Sequence, residues 1–171
     1  MATLIFTIFI SMAISALCSL LEACLLSLSL TDIAKISEKK IKVAKIWENF
    51  KKNIDKPIAV ILIVNTLAHT IGAALSGAQF EKKFGGEWIW LFSLIYSLAM
   101  IQWTEILPKT MGVKYNRNLA DIFALPLNLL VTIFKPVAFI IHLINKPFEG
   151  KKDDRNFDAL SEINTLAHFA S

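Results

Sequence analysis

The sequence predicts an all-α integral membrane protein with three transmembrane helices and further juxtamembrane helices on the cytoplasmic side. Three observations lead to this fold class. Hydrophobic residues make up 55% of the 171 residues and the mean hydropathy is +0.55, which is high for a soluble domain of this length. The apolar residues stand in blocks long enough to cross a bilayer. The segments between these blocks are rich in lysine, so the net charge of +4 indicates orientation in a membrane rather than a nucleic acid partner.

The first two predicted spans are separated by an amphipathic segment. Residues 2–30 contain one charge, Glu22, and exceed the roughly 20 residues that a helix needs to cross the hydrocarbon layer. Residues 31–56 combine many lysines with apolar residues at helical spacing, which predicts one or two amphipathic helices at a membrane surface. Residues 57–80 form the second span, and Pro57 suits its first turn.

A third span and a fourth apolar stretch complete the membrane part. A short turn, residues 81–87, leads into the third span, residues 88–107, which begins with two tryptophans of the kind found at membrane interfaces. The fourth stretch, residues 119–145, is interrupted by Pro126 and Pro136. Prolines at these positions predict bends within the stretch.

The distribution of basic residues predicts the orientation of the spans. The lysine-rich residues 35–56 and the basic residues 109–117 should be cytoplasmic, which places the N-terminus and the turn at 81–87 outside. A full crossing by residues 119–145 would carry the basic residues 146–155 to the outside, against this rule. We therefore expect residues 119–145 to form a bent, partly inserted hairpin or belt on the cytoplasmic side; a conventional fourth crossing is the alternative.

The sequence offers no pattern of a disulfide framework or of an enzyme. Cys18 and Cys24 are six residues apart in an apolar segment and would not lie side by side on a helix, which argues against a disulfide and against a zinc site. The sequence shows no nucleophile–base pair and no glycine-rich phosphate loop. We expect the chain not to be an enzyme.

Polar residues form one stripe in each of the first two spans. At helical spacing, these stripes consist of Ser11, Ser15, Ser19 and Glu22 in the first span and of Asn65, His69, Gly72 and Ser76 in the second. An ionisable residue in a span should face the bundle interior or a water path. The serines are equally well explained by close helix packing. An amide oxygen such as that of Asn65 is a good ligand for a hard cation, whereas His69 alone is explained slightly better as a hydrogen-bonded structural residue.

The third span ends in "WTEILPKTMG" (103–112), which predicts a broken helix beside a carboxylate. Pro108 removes a backbone donor and clashes with the carbonyl of Thr104, so free carbonyl oxygens are expected beside Glu105. Such oxygen donors suit Mg²⁺ and Ca²⁺ and would accept Na⁺. Lys109 could pair with Glu105 or reach anionic headgroups. The alternative is an ordinary span end with a snorkelling lysine.

Three motifs, in this order, resemble the transmembrane domain of the CorC/CNNM (cyclin M) family of Mg²⁺ transporters. They are "CSLLEACLLSLS" (18–29), "NTLAHTIGAA" (65–74) and "TEILPKTMG" (104–112). The last contains the Glu-x-x-Pro-Lys element, which is the most specific of the three. The resemblance covers roughly residues 5–150.

The resemblance implies a homodimer in the plasma (inner) membrane with one cation site in each subunit. It implies Na⁺-coupled export of Mg²⁺, with Mg²⁺ as the transported ion, Na⁺ as a possible second ion and the lipid bilayer as the surroundings. The implied ion ligands are Ser15, Ser19, Asn65, Thr104 and Glu105. The implied supporting residues are Glu22, His69, Gly72, Pro108 and Lys109.

Three positions depart from the family pattern. Ala23 stands where the family often has threonine, and His69 stands where a second asparagine is common. Thr104 stands where glycine usually precedes the glutamate; its carbonyl could still serve as a ligand, although its side chain crowds the site. These departures bear on ion selectivity more than on the fold.

The resemblance also implies the domain organisation. We expect residues 1–150 to form the transmembrane domain and residues 151–171 to begin a linker. "FDALSEINTLAHFAS" (157–171) resembles the helix that leads, in family members, into a cytoplasmic pair of CBS modules that bind adenine nucleotide. We therefore expect the chain to be the membrane part of a longer protein, and we expect no nucleotide binding from this part.

A second hypothesis keeps the fold and removes the transport. The spans would then be a dimerising scaffold that carries a cytoplasmic sensor, and the small residues at 72–77 would serve helix packing. Convergence of Asn65, Glu105 and Ser19 on one cavity would weaken this hypothesis, and separate positions would favour it.

Overall fold

The computed structural model describes residues 1–137. The chain divides into one unit, Met1–Lys135, and a second unit, Pro136–Ser171. The helices described here belong to the first unit. The predicted linker at 151–171 and the end of the predicted hairpin, 138–145, lie outside the described residues.

The described residues are helical, and no strand occurs among them. In chain order the helices are α1 (Ala2–Ser27), α2 (Leu30–Ser37), α3 (Ile41–Lys52), α4 (Asp55–Phe84), a 3₁₀ turn (Gly86–Trp88), α5 (Ile89–Met100), a π-helical turn (Ile101–Ile106), α6 (Leu107–Lys114) and α7 (Asn116–Ile133). Three stretches in this part are long and apolar enough to cross a membrane: Ala2–Ser27, Asp55–Phe84 and Gly86–Lys114. The protein is therefore an integral membrane protein, and the predicted all-α class with three spans is confirmed.

Two glycines allow other helices to approach α1 closely. A Cβ added to Gly72 of α4 would lie 2.3 Å from the Cβ of Ser11, and one added to Gly112 of α6 would lie 2.7 Å from the carbonyl oxygen of Leu20. Both distances are far below ordinary contact, so only glycine fits at either position. Small residues at helix crossings are the usual means of close approach in membranes, and here they make α1 the helix on which α4 and α6 both pack.

The turn between α4 and α5 depends on a glycine and on stacked aromatic rings. Gly85 ends α4 with φ of +86°, a conformation that favours glycine. Beyond it, the ring of Phe92 stacks on Phe80 of α4, with centroids 4.3 Å apart, and on Tyr96, with centroids 5.7 Å apart. These contacts fix where the hydroxyl of Tyr96 lies against α1.

The helix predicted to break at Pro108 continues through it, so that prediction was wrong. The N–H of Leu107 bonds to the carbonyl of Gln102, five residues back, and Pro108 stands in the first turn of α6. A π-helical step inserts one residue into the turn, which relieves the clash that a proline makes in a regular α-helix. The irregular backbone was predicted correctly, but it is a widened turn rather than a helix end.

Helices α2, α3 and α7 form a second packed layer at the C-terminal end of α1. The apolar side chains of α3, among them Trp47 and Phe50, are buried in a cluster with α1 and α7. The indole N–H of Trp47 donates to the carbonyl of Ala120 at 3.0 Å. The sequence predicted one or two amphipathic helices at a membrane surface; the apolar face of α3 packs on protein, and the location at a membrane surface stays a prediction.

Helix α7 runs through Pro126 and ends at Ile133, so the chain does not reverse direction at Pro126 as a hairpin there would require; the belt arrangement stays a prediction. A proline inside a helix costs about 3 kcal/mol, and burial of one face of α7 against the protein offsets this. That face carries Ala120, Ala124 and Leu127, while the opposite side exposes Ile122, Leu125, Leu129 and Ile133. An exposed row of large apolar residues suits contact with hydrocarbon or with another protein surface.

Candidate cation site

Three polar side chains of the predicted stripes meet between α1 and α4. The hydroxyl of Ser15 lies 2.8 Å from Oδ1 of Asn65 and is also in contact with Nε2 of His69. Ser15 is fully buried, whereas Asn65 and His69 are half-buried. The close packing at Gly72, one turn further along α4, brings these side chains together.

The proton arrangement of this group follows from counting donors. Ser15 has a single hydroxyl proton, which it donates to Oδ1 of Asn65. The contact between Ser15 and His69 then requires the imidazole to donate from Nε2. In this arrangement Ser15 joins an amide oxygen and an imidazole nitrogen through one oxygen atom.

Two of the other implied ligands, Ser19 of α1 and Thr104 of the π-helical turn, are buried, but they are not joined to this group by a hydrogen bond. Ser19 is fully buried, and its hydroxyl has no hydrogen-bond partner among the described residues. Thr104 is fully buried and donates to the carbonyl of Met100 at 2.7 Å. A buried hydroxyl without a partner is unfavourable, so Ser19 would gain from a ligand or a water molecule beside it.

Within the described residues, Lys109 forms an ion pair with Glu22 and not with Glu105, one of its two predicted partners. Nζ of Lys109 lies 3.4 Å from Oε2 of Glu22, which links α6 to α1. The sequence predicted that Lys109 would pair with Glu105 or reach the headgroups. Glu105 is half-buried and makes no hydrogen bond or ion pair within residues 1–137. Helical spacing favours a pair four residues apart, but the close α1–α6 contact at Gly112 brings Glu22 within reach instead.

Tyr96 is a polar residue that the sequence analysis missed. Its hydroxyl lies 3.1 Å from the hydroxyl of Ser11, which itself donates to the carbonyl of Ile8 at 2.9 Å; Tyr96 is therefore the donor to Ser11. The signal was present as a tyrosine within a mainly apolar span, but nothing in the sequence indicated which helix its hydroxyl would contact.

A second polar cluster, also missed, fixes α2 and α7 below the spans. Ser29 and Asp32 form a capping box at the start of α2, and Arg117 of α7 donates to Asp32. The hydrogen bond from the Ser29 hydroxyl, and next to it the Arg117 guanidinium, hold the pKa of Asp32 below its usual value. The Ser-x-x-Asp spacing is a recognisable capping signal, whereas the partner Arg117 lies 85 residues further along the chain.

The donor set determines the kind of ion that this region can hold. Among residues 1–137 no three His, Cys, Asp or Glu side chains come together. The oxygens of Ser15 and Asn65 are neutral, and neutral oxygens suit hard cations that keep part of their water. The arrangement therefore fits a weakly held, hydrated cation better than a tightly chelated metal.

Comparison with known proteins identifies the family. The family described as "Cyclin M transmembrane N-terminal domain" matches residues 5–168. The chain belongs to this family. A UPF0053 protein of Synechocystis is 32% identical over 168 residues, which cover 98% of this chain and 48% of that protein. A UPF0053 protein of Haemophilus influenzae is 25% identical over 146 residues, 85% of this chain and 35% of that protein.

These matches confirm the resemblance that was based on the three sequence motifs. The chain spans about half the length of the Synechocystis relative and about a third of the Haemophilus one. The matched region includes every residue of the cation-site candidates.

Proposed function

We propose that this cyclin M domain carries a divalent cation, such as Mg²⁺, across the membrane. The observation that carries the proposal is the contact of Ser15 with Asn65, two hydrogen-bonding oxygens held between two packed spans. Polar groups at membrane depth are costly to bury, so where they occur they commonly mark an ion path or a binding site. Family membership and the oxygen donor set agree with this function.

The neighbouring residues suggest how an ion would be accommodated. Mg²⁺ loses water reluctantly and is usually bound by few protein ligands, so Ser15 and Asn65 would replace only part of its hydration shell. The unpartnered hydroxyl of Ser19 lies one turn away on α1 and would gain a partner, either the ion or one of its waters. Glu105 would supply negative charge, because no cation neutralises it within the described residues.

Coupling, direction and assembly belong to the same proposal. We take transport to be Na⁺-coupled export by a homodimer in the inner membrane, with the N-terminus outside and the C-terminus in the cytoplasm. The positive charges of α3 and α6 support this orientation. Apolar side chains on the outer faces of α4 and α5, such as Leu62, Ile95 and Leu98, provide surface for the bilayer and for a second subunit.

The first experiment measures the thermal stability of the purified protein in detergent against Mg²⁺ concentration. A ligand that binds the folded state alone adds RT ln(1 + [L]/Kd), about 2.7 kcal/mol at a hundredfold excess over Kd. We expect a saturable rise with Mg²⁺ in the wild type and in Asn118→Ala, an exposed control, and no rise in Asn65→Ala. Equal responses of the wild type and Asn65→Ala would contradict the proposed site.

The scaffold function is a second candidate because the implied ligands do not all converge. Neither Ser19 nor Glu105 forms a hydrogen bond with Asn65 in the described part of the chain, as a scaffold predicts. Flux measurements in liposomes separate the two functions. A transporter moves Mg²⁺ down a Mg²⁺ gradient, or in exchange for Na⁺ when a Na⁺ gradient is imposed, and this movement is lost in Asn65→Ala. A dimer that moves no Mg²⁺ under either gradient would favour the scaffold.

A further inference from the structure

We propose that His69 is itself an ion ligand, through Nε2. The site therefore binds first-row divalent transition-metal ions, which have affinity for imidazole, more tightly than it binds Mg²⁺. This inference rests on the proposed function, because it assigns a cargo class to the same site. It gives His69 a direct role in place of the structural one that the sequence slightly favoured.

The spacing of the donor atoms supports a shared ion. Oγ of Ser15 and Oδ1 of Asn65 are 2.8 Å apart. Neighbouring ligands of an octahedral ion with bonds of about 2.0–2.1 Å are separated by about 2.8–3.0 Å. Nε2 of His69 contacts the same Ser15 oxygen from the next turn of α4, so both donor atoms of α4 lie within hydrogen-bond distance of one oxygen of α1, beside which we place the ion.

Binding requires a rearrangement of protons but no net gain or loss of protons. Before the ion binds, Nε2 carries the proton that is donated to Ser15. When the ion binds, the neutral imidazole keeps one proton, now on Nδ1, and the lone pair of Nε2 faces the metal. The Ser15 hydroxyl turns its proton away from Asn65, so that both oxygens direct lone pairs at the ion.

The chemistry of the third donor sets the selectivity. Mg²⁺ is held mainly by oxygen, whereas imidazole suits iron, nickel, copper and zinc. With one nitrogen and two neutral oxygens, the affinity of the site should follow the general order Mn²⁺ < Fe²⁺ < Co²⁺ < Ni²⁺. Of the two carboxylates nearby in the sequence pattern, Glu22 pairs with Lys109, and Glu105 forms no hydrogen bond with Ser15, Asn65 or His69 within the described residues.

The decisive experiment uses Mn²⁺ as the probe and detects its ligands by electron spin echo envelope modulation. Directly bound imidazole nitrogen gives a ¹⁴N modulation that oxygen ligands do not give. The chain has three histidines, and His142 and His168 lie outside the described residues. In the double variant His142→Asn/His168→Asn, His69 is the sole histidine, so a modulation there identifies His69 without any substitution at the site.

We expect the modulation in the wild type and in the double variant, and its loss in His69→Asn, which still binds Mn²⁺ through oxygen. In competition with Mg²⁺, His69→Asn should lower the preference for Ni²⁺ at least about tenfold, the free-energy equivalent of about 1.4 kcal/mol.

Two other outcomes would overturn the inference, and they are distinguishable. Mn²⁺ bound at Asn65 without nitrogen modulation in the double variant would refute ligation by His69 and leave the proposed function standing. No Mn²⁺ binding that depends on Asn65 would refute the proposed site and the inference together.

Discussion

The substitution Gly72→Ala tests whether the close approach of α1 and α4 holds the cation site together. The added Cβ would lie 2.3 Å from Cβ of Ser11, 2.7 Å from its Oγ and 3.2 Å from the hydroxyl of Tyr96. Carbon atoms need about 3.5 Å at closest ordinary contact, so the two helices must separate by about 1 Å at this level. Overpacking of this kind costs about 1–3 kcal/mol.

The separation of α1 and α4 at Gly72 also affects the cation site, because the α4 residues of the site are close to Gly72. Asn65 and His69 stand within two turns of Gly72, so a separation of about 1 Å would lengthen the 2.8 Å contact between Ser15 and Asn65 beyond hydrogen-bond distance. We expect Gly72→Ala to lower the thermal stability in detergent and to abolish the Mg²⁺-dependent rise.

A matched control and a compensating variant make this test specific. Gly77→Ala lies on the same helix, but its Cβ would be 3.9 Å from the nearest atom, Cδ1 of Ile89, so it should behave as the wild type. Adding Ser11→Gly to Gly72→Ala removes the clashing atoms and should recover part of the Mg²⁺ response, a coupling that a double-mutant cycle measures. Unchanged stability and an unchanged Mg²⁺ response in Gly72→Ala would refute the packing argument.

Three further predictions follow from other contacts. Gly112→Ala should destabilise the protein by about 1–3 kcal/mol, because its Cβ would lie 2.7 Å from Cβ of Ala23; unfolding in detergent measures this. Tyr96→Phe should lower the free energy of unfolding by about 0.5–1.5 kcal/mol, since Ser11 loses the buried hydroxyl that donates to it. If Tyr96→Phe lost the Mg²⁺ response and kept its stability, a purely structural role of Tyr96 would be contradicted. The folded-state pKa of Asp32 lies below the ordinary 3.8, so the stabilisation by the ionised carboxylate should be complete above pH 3.8 and be lost as the pH falls below 3.8. Asp32→Asn should remove this part of the dependence of protein stability on acid pH. The same dependence in the wild type and in Asp32→Asn would contradict the prediction.

Helical periodicity was sufficient to find the three side chains that meet in the site. Ser15 lies on the polar stripe of α1, and Asn65 and His69 lie on that of α4. A polar stripe on a membrane helix must face protein or water, so two such stripes in neighbouring spans are expected to face each other. The sequence could not give the register of this contact, because it depends on how closely Gly72 lets the helices approach.

The predictions that were wrong each treated one segment without its neighbours. Local geometry alone suggested that the helix would break at Pro108, and it offered Glu105 as one of two partners for Lys109. In the structure, packing of α6 on α1 keeps the helix running past Pro108 with a π-helical turn and brings Lys109 to Glu22. These outcomes depend on contacts between residues far apart in the chain, which periodicity and spacing do not contain.

The partial exposure of Asn65 and His69 restricts what can lie beside the site. Ser15 is fully buried, but the two α4 residues that contact it are only half-buried within residues 1–137. Hydrocarbon on their open side would leave amide and imidazole groups without hydrogen bonds, which costs several kcal/mol for each group. The open side must therefore face water or protein. If the open side faces water, it is the entry of an ion path; if it faces a second subunit, the site lies near a dimer interface. In either arrangement α4 does not serve only as a lipid-facing membrane anchor at the level of Asn65 and His69.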